Sequence, residues 1–263
     1  MALTSCPTCG AQLKTPFVKK GKRYEFYLGD ARVVLPFIDK KVDAIITDPP
    51  YNSGGTTLKE RMRNSTAKYV NSGTVYKSFP EIAFDGIPEE EWENMLLSVF
   101  RLATTKLKQK GLMAVFSDWR RLSKIVSLMR QAGIEVKGVV VWDKGEGSRP
   151  VKGGFRLQTE FIVWGRKDGQ GEVPEVYAPG LVKRPTLTRK QHITQKPVEV
   201  VEHILQVVPN KSVILDPFAG VATTGIASIK KGHYFVGIEI VPEYFLLGSQ
   251  NLTEAEAETG GES

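Results

Sequence analysis

The stretch VDAIITDPPYNSGG, residues 42–55, runs an apolar segment straight into an acid, two prolines and a tyrosine. Each proline locks its own φ, offers no N–H, and pushes the residue before it into an extended conformation. Asp48 and Pro49 are therefore expected to be rigid, with backbone carbonyls that no neighbouring strand claims. Rigid acceptors at the end of a buried strand suit a ligand from outside the protein.

A second stretch, ILDPFAGVATTG at 214–225, reads as strand, acid, small-residue loop and helix. Glycine there allows close backbone approach, and a helix N-terminus offers N–H groups to an anionic ligand. No Gly-Lys-Ser/Thr follows, so it is not a phosphate-binding P-loop, and it does not match G-x-G-x-x-G. Glu239, about 20 residues on at the end of the next apolar run, is placed to hold ribose hydroxyls. Loop and acid together point to a nucleoside-containing cofactor; the structural alternative is a tight turn capped by Asp216.

The elements that must position these groups alternate. Apolar runs at 24–28, 42–47, 112–116, 135–142, 156–165, 212–216 and 233–240 read as strands, with helical patterns between them. PEEEWENMLLSVFRLATTKLK carries Trp92, Leu96, Val99, Ala103 and Leu107 on one stripe, with Pro88 at its first turn. Such alternation predicts an α/β fold with a doubly wound, mostly parallel sheet, whose ligands bind beyond the carboxyl ends of the strands. Asp30, Asp48, Asp216 and Glu239 each fall at or near such an end, which points to one polar site.

Residues 1–22 read as a short basic appendage and 23–252 as a single domain. Residues 253–263, TEAEAETGGES, read as a disordered acidic tail. Cys6 and Cys9 form one C-x-x-C, half of a zinc site with no second half, so no metal is assigned. The net charge is +7, and the tail holds four Glu and no basic residue, so residues 1–252 carry +11. That excess suggests nucleic acid as partner. No apolar run approaches the roughly 20 residues of a membrane span, and the cytoplasm is the expected compartment.

DPPYNSGG, HITQKP, and DPFAG with the following TTG, in that order, resemble the S-adenosylmethionine-dependent DNA amino-methyltransferases. Target motif first and cofactor loop last is similar to their beta class, over about residues 24–252. The resemblance implies the circularly permuted class I methyltransferase fold, S-adenosylmethionine as cofactor, double-stranded DNA as substrate and base flipping. A homodimer and a place in restriction-modification also follow from family habit.

By the same resemblance, Phe218, Ala219 and Gly220 lie beneath the methionine part of the cofactor, with Thr223 and Thr224 beside it. Lys196 meets its carboxylate, Asp216 belongs to its loop, Glu239 takes the ribose and Asp30 the adenine amine. The chain departs from the family at Ala222, where a second glycine is usual. Asp48, Pro49, Pro50 and Tyr51 form the catalytic turn. The Asp48 carboxylate and the Pro49 carbonyl accept the two N–H groups of a target amine while Tyr51 stacks on the base.

DNA contact is expected from a basic loop at 56–80, with Lys59, Arg61, Arg63 and Lys68, and from Lys144, Arg149 and Arg156. Lys183 and Arg184 add to it from a short target-recognition segment at 166–191. Trp119 stands as pocket wall or as ordinary core. Asp48 tilts the target to adenine N6; cytosine N4 and a catalytically weak DNA-binding relative are the alternatives.

Overall fold

The computed structural model describes residues 4–5, 12–13, 16–52, 86–147, 152–187 and 195–260. The cysteines, the basic loop with Lys59, Arg61, Arg63 and Lys68, and Arg149 lie outside the described residues.

Nine strands form the main sheet: β1 (Phe17–Lys20), β2 (Tyr24–Leu28), β3 (Val42–Thr47), β4 (Leu107–Ser117), β5 (Ile134–Asp143), β6 (Thr159–Lys167), β7 (Leu181–Lys183), β8 (Val213–Asp216) and β9 (Tyr234–Glu239). Their order is β1-β2-β9-β8-β3-β4-β6-β5-β7. The run β2-β9-β8-β3-β4 is parallel, so all five carboxyl ends reach one rim. β6 is antiparallel to β4 and β5, and therefore starts at that rim with Thr159 and Glu160. β8 and β3 lie side by side, but the chain leaves β3 towards β4 and β8 towards β9. That divergence is the switch point at which open α/β sheets bind ligands. The expected doubly wound, mostly parallel α/β architecture is what the chain adopts.

The central strands are apolar on both surfaces because helices cover both. Ile45 faces a core built with α1 (Ala31–Val34), α2 (Glu89–Lys106) and α3 (Leu122–Gln131). Ala44 and Ile46 face the opposite core, built with α4 (Val198–Leu205) and α5 (Thr223–Lys230). Phe26, Phe235 and Phe245 continue that second layer beneath α6 (Pro242–Gly260). Three acids in its first turn favour α2, complementing the helix dipole. It passes into β4 with no linker, so Leu107, expected on the helical stripe, opens the strand and is buried there.

Two segments differ from expectation. Phe17–Lys20, within the supposed appendage, is the antiparallel edge strand of the main sheet. Residues 253–260 are not a disordered tail but the end of α6. Their Ala and Glu residues favour helix, and tertiary contacts reward it. Ala255 is buried against the sheet, and the Tyr24 and Thr253 hydroxyls meet at 3.0 Å. Glu256 accepts the backbone N–H groups of Lys22 and Arg23 at 3.1 and 2.6 Å.

A chain ending at Leu252 should therefore lose about 2–3 kcal/mol, through lost packing and two unpaired N–H groups. Its melting temperature should fall by roughly 5–10 °C. Calorimetry that finds no change would show these last turns to be dispensable.

Candidate functional site

One cavity of about 400 Å³ opens along the rim, lined by Asp30, Asp48, Asp216 and Glu239 among others. The four acids that looked like strand-end noise one by one do converge. Asp216 and Glu239 are buried and already tied into the fold. Asp216 Oδ1 accepts the Thr47 hydroxyl from the neighbouring strand at 2.6 Å and the Phe218 N–H at 3.0 Å. Glu239 accepts the Gly220 N–H at 2.7 Å with one oxygen and the Val241 N–H at 2.7 Å with the other. Burial raises Asp216 to about 6 and Glu239 to about 7, against the pull of these hydrogen bonds.

The loop between them is pinned as a rigid cradle. Ala219 N–H donates to the Ile238 carbonyl at 2.9 Å, and Asn251 Nδ2 donates to the Val221 carbonyl at 2.9 Å. Gly220 and Ala222 both sit at positive φ, 55° and 64°. For Ala222 that conformation costs about 1–2 kcal/mol, which a glycine would avoid. Ala222 is absent from the cavity wall and is fully buried among Phe26, Phe235 and Leu252. Its extra methyl thus fills core rather than ligand space. Phe218, Ala219, Gly220, Thr223 and Thr224 all line the cavity. Asp30 lines it too, yet its carboxylate caps α1 through the Arg32 N–H at 2.8 Å and pairs with the Arg32 guanidinium at 2.5 Å.

Beyond the switch point the wall is the turn after β3. The Pro50 carbonyl accepts the Trp92 indole N–H at 2.6 Å. Arg121 donates to the Tyr51 and Asn52 carbonyls at 3.0 and 2.7 Å. The buried guanidinium also lies over the Trp92 ring, 4.9 Å from its centroid, and pairs with Glu89 at 3.2 Å. Asn52, left-handed at φ 50°, grips Gly86 N–H and the Ile87 carbonyl, both at 2.8 Å. Among the described residues the Pro49 carbonyl accepts no hydrogen bond, and buried Asp48 Oδ1 makes none within hydrogen-bond geometry, although the nearby Tyr51 hydroxyl favours the ionised carboxylate. The opposite oxygen, Oδ2, pairs with Lys196 at 3.0 Å.

Lys196, expected to meet a cofactor carboxylate, also pairs with carboxylates of the chain itself. Its buried ammonium bridges Asp48 and Glu160, each at 3.0 Å, and lies over the rings of Tyr51, Phe116 and Trp142. Burial works against the ammonium, but the two carboxylates outweigh it and hold Lys196 above the usual lysine range. Burial likewise pushes Asp48 up; Lys196 draws it down and Glu160 pushes it further up.

The expected DNA contacts divide. Lys144 is largely buried in the cavity wall and pairs with Glu160 at 3.3 Å, so it is no surface phosphate contact. Lys183 and Arg184 are exposed at the β7 edge; Arg156 is exposed and donates to the Glu146 carbonyl at 2.8 Å. Trp119 is 62% exposed at the cavity mouth, which rules out the core reading. Sequence reasoning missed Glu160, Arg121 and Trp92 as site residues. Glu160 did carry a signal, an acid beside the apolar run FIVW. Trp92 had been read as stripe, and nothing in SDWRRL marks Arg121.

Comparison with known proteins agrees with this geometry. The family described as DNA methylase matches residues 42–250. Type II methyltransferase M2.DpnII of Streptococcus pneumoniae is 26% identical over 273 residues, covering 95% of this chain and 96% of that one. DNA adenine methyltransferase YhdJ of Escherichia coli K12 is 25% identical over 268 residues, covering 86% and 82%. The crystal structure of the M1.HpyAVI–SAM complex superposes with a TM-score of 0.64 at 25% identity, covering 87% of this chain and 98% of that one. With the family match spanning most of the chain, and the target motif preceding the cofactor loop, the protein belongs to the DNA methylase family and is an S-adenosylmethionine-dependent DNA methyltransferase of the beta arrangement.

Proposed function

We infer that this chain methylates the N6 amine of an adenine extruded from duplex DNA. One observation carries the reading. A buried carboxylate oxygen, Asp48 Oδ1, has no hydrogen-bond partner among the described residues, and the adjacent Pro49 carbonyl accepts nothing there. Two fixed acceptors side by side match the two N–H groups of an exocyclic amine. They share one cavity with the pinned loop at 217–222 and Glu239, whose surroundings fit a nucleoside cofactor. S-adenosylmethionine supplies an electrophilic methyl group on a sulfonium.

The chain's own groups do the rest. An adenine N6 lone pair is delocalised into its ring and is a poor nucleophile. Hydrogen bonds to Asp48 Oδ1 and Pro49 O favour a tetrahedral nitrogen with the lone pair turned to the opposite side. The proton that the methylated nitrogen must lose departs through its bond to Asp48 Oδ1. Catalysis is then positioning and electrostatics, with no covalent enzyme intermediate. Tyr51 in the cavity wall offers a ring to the base, and stacking contributes roughly 1–3 kcal/mol. A stacked duplex base cannot reach so deep, so it must be flipped out. Exposed Trp119 at the mouth offers a stacking surface to the neighbouring nucleotides, with Arg120, Arg156, Lys183 and Arg184 along the same side for phosphates.

The first test expresses the protein in a bacterial host free of DNA methylation and sequences its genome by a method that reads modified bases. N6-methyladenine in one sequence context should appear, and Asp48→Ala should reduce the rate by about 10³-fold or more. N4-methylcytosine instead would keep the geometry and overturn the base; an unmodified genome from folded protein would sink the reading.

A second outcome concerns pH. The ionised Glu239 carboxylate accepts a hydroxyl, and its folded-state value is raised to about 7. Affinity for S-adenosylmethionine should therefore weaken as pH falls through about 7, and calorimetry on Glu239→Gln should give a flatter profile. A third concerns the turn itself. Arg121→Lys keeps the charge but loses the two-carbonyl fork, so kcat should drop about 10- to 100-fold with cofactor affinity unchanged. A variant as fast as wild type would show that the fork does not position the turn.

A further inference from the structure

Among the ionisable groups of the cavity that the proposed reaction leaves idle is Glu160. Glu160 stands at the start of β6, the strand that runs against its neighbours, opposite Trp142 in register. Its Oε2 lies 3.0 Å from Lys196 Nζ and accepts the Tyr51 hydroxyl at 3.4 Å; its Oε1 lies 3.3 Å from Lys144 Nζ. Lys196 in turn reaches Asp48 Oδ2 at 3.0 Å. Carboxylate, ammonium and carboxylate form one buried bridge, with Lys144 as the outer counter-charge.

We propose that Glu160 is a positioning residue of the target-base site, acting through Lys196 on Asp48. The inference rests on the adenine-amine reading of Asp48. A buried ammonium facing a single carboxylate attracts both of its oxygens. Glu160 takes a share of that attraction from the far side. Asp48 then keeps Oδ2 on Lys196 and leaves Oδ1 for the amine. Two carboxylates and two ammonium groups also balance in charge, so the site receives a neutral base without a net charge of its own.

The groups facing Asp48 are Lys196 before α4, Tyr51 in its own turn, Glu160 from β6 and Asp216 from β8, with Lys144 and Asp118 further out. Glu160 pushes the Asp48 carboxyl up and Lys196 pulls it down, so removing either must move it in a known direction.

The experiment joins a double-mutant cycle with a titration on the full chain. Glu160→Gln is isosteric and should lower kcat about 10-fold with the KM for DNA little changed; Glu160→Asp should recover part of the loss. In a Lys196→Met background, Glu160→Gln should cost clearly less than in wild type, because the ammonium bridge to Asp48 is gone and only the direct repulsion between the two carboxylates remains. Carbon-13 NMR of the cofactor-free protein should show the Asp48 carboxyl titrating lower in Glu160→Gln and higher in Lys196→Met, by about one pH unit each. Melting temperatures identify any variant that merely unfolds. Additive losses in the cycle, or an Asp48 titration that ignores Glu160, would overturn the proposal. The NMR arm reads the coupling without any methyl transfer. An inactive wild type would therefore count against the proposed function, while the titration still judges Glu160.

Discussion

The Thr47 hydroxyl donates to Asp216 Oδ1 across the gap between β3 and β8 at 2.6 Å, and both halves of the cavity hang on that bond. It joins the two strands where their onward paths diverge, one residue before the DPPY turn and one before the loop at 217–222. The same oxygen receives the Phe218 N–H, so strand, strand and loop meet on one atom. Glu239 repeats the device one strand over, tying the loop to the segment after β9. Asp216 and Glu239 therefore do architectural work before any ligand arrives. Their raised proton affinities reflect the burial that this work demands.

The turn after β3 shows how a reactive geometry is held without a sheet to hold it. Four consecutive residues, Pro49 to Asn52, present carbonyls to which no strand pairs. Trp92 from α2 claims one and Arg121, just before α3, claims two; among the described residues the Pro49 carbonyl accepts none, and Pro49 lines the cavity. Because Arg121 also stacks on Trp92 and pairs with Glu89, the clamp is a single packed unit, so the acceptors are preorganised. Beside it the buried charges cancel in a chain, Lys144 to Glu160 to Lys196 to Asp48. A lone buried carboxylate would instead neutralise by taking a proton.

Several features were legible because they are local. Proline rigidity, strand-end acids, a small-residue loop before a helix, and an acid about 20 residues beyond it can be read along the chain. Others failed for physical reasons. The last residues looked disordered because their composition is polar, yet backbone N–H groups of Lys22 and Arg23, more than 230 residues away in sequence, give Glu256 its partners. Ala222 stood out as a departure from the family's usual glycine, and only the fold reveals that its methyl turns into the core. Lys144 looked like a phosphate contact, and a carboxylate from the next strand had already taken it.

By itself the sequence determined the order of strands and helices, the chemistry of the DPPY turn, and the pairing of a tight loop with a distant acid. These depend on φ restrictions, hydrophobic period and spacing, all properties of neighbours in the chain. Only the tertiary structure decided which carboxylates are bound to backbone, which oxygen of Asp48 is paired with Lys196, and that Arg121, Trp92 and Glu160 join the cavity wall and the turn beside it. Those outcomes depend on side chains from separate strands and helices meeting within about 3 Å in a place without water. No pattern along one strand encodes such a distance, because it is fixed by the packing of both faces of the sheet.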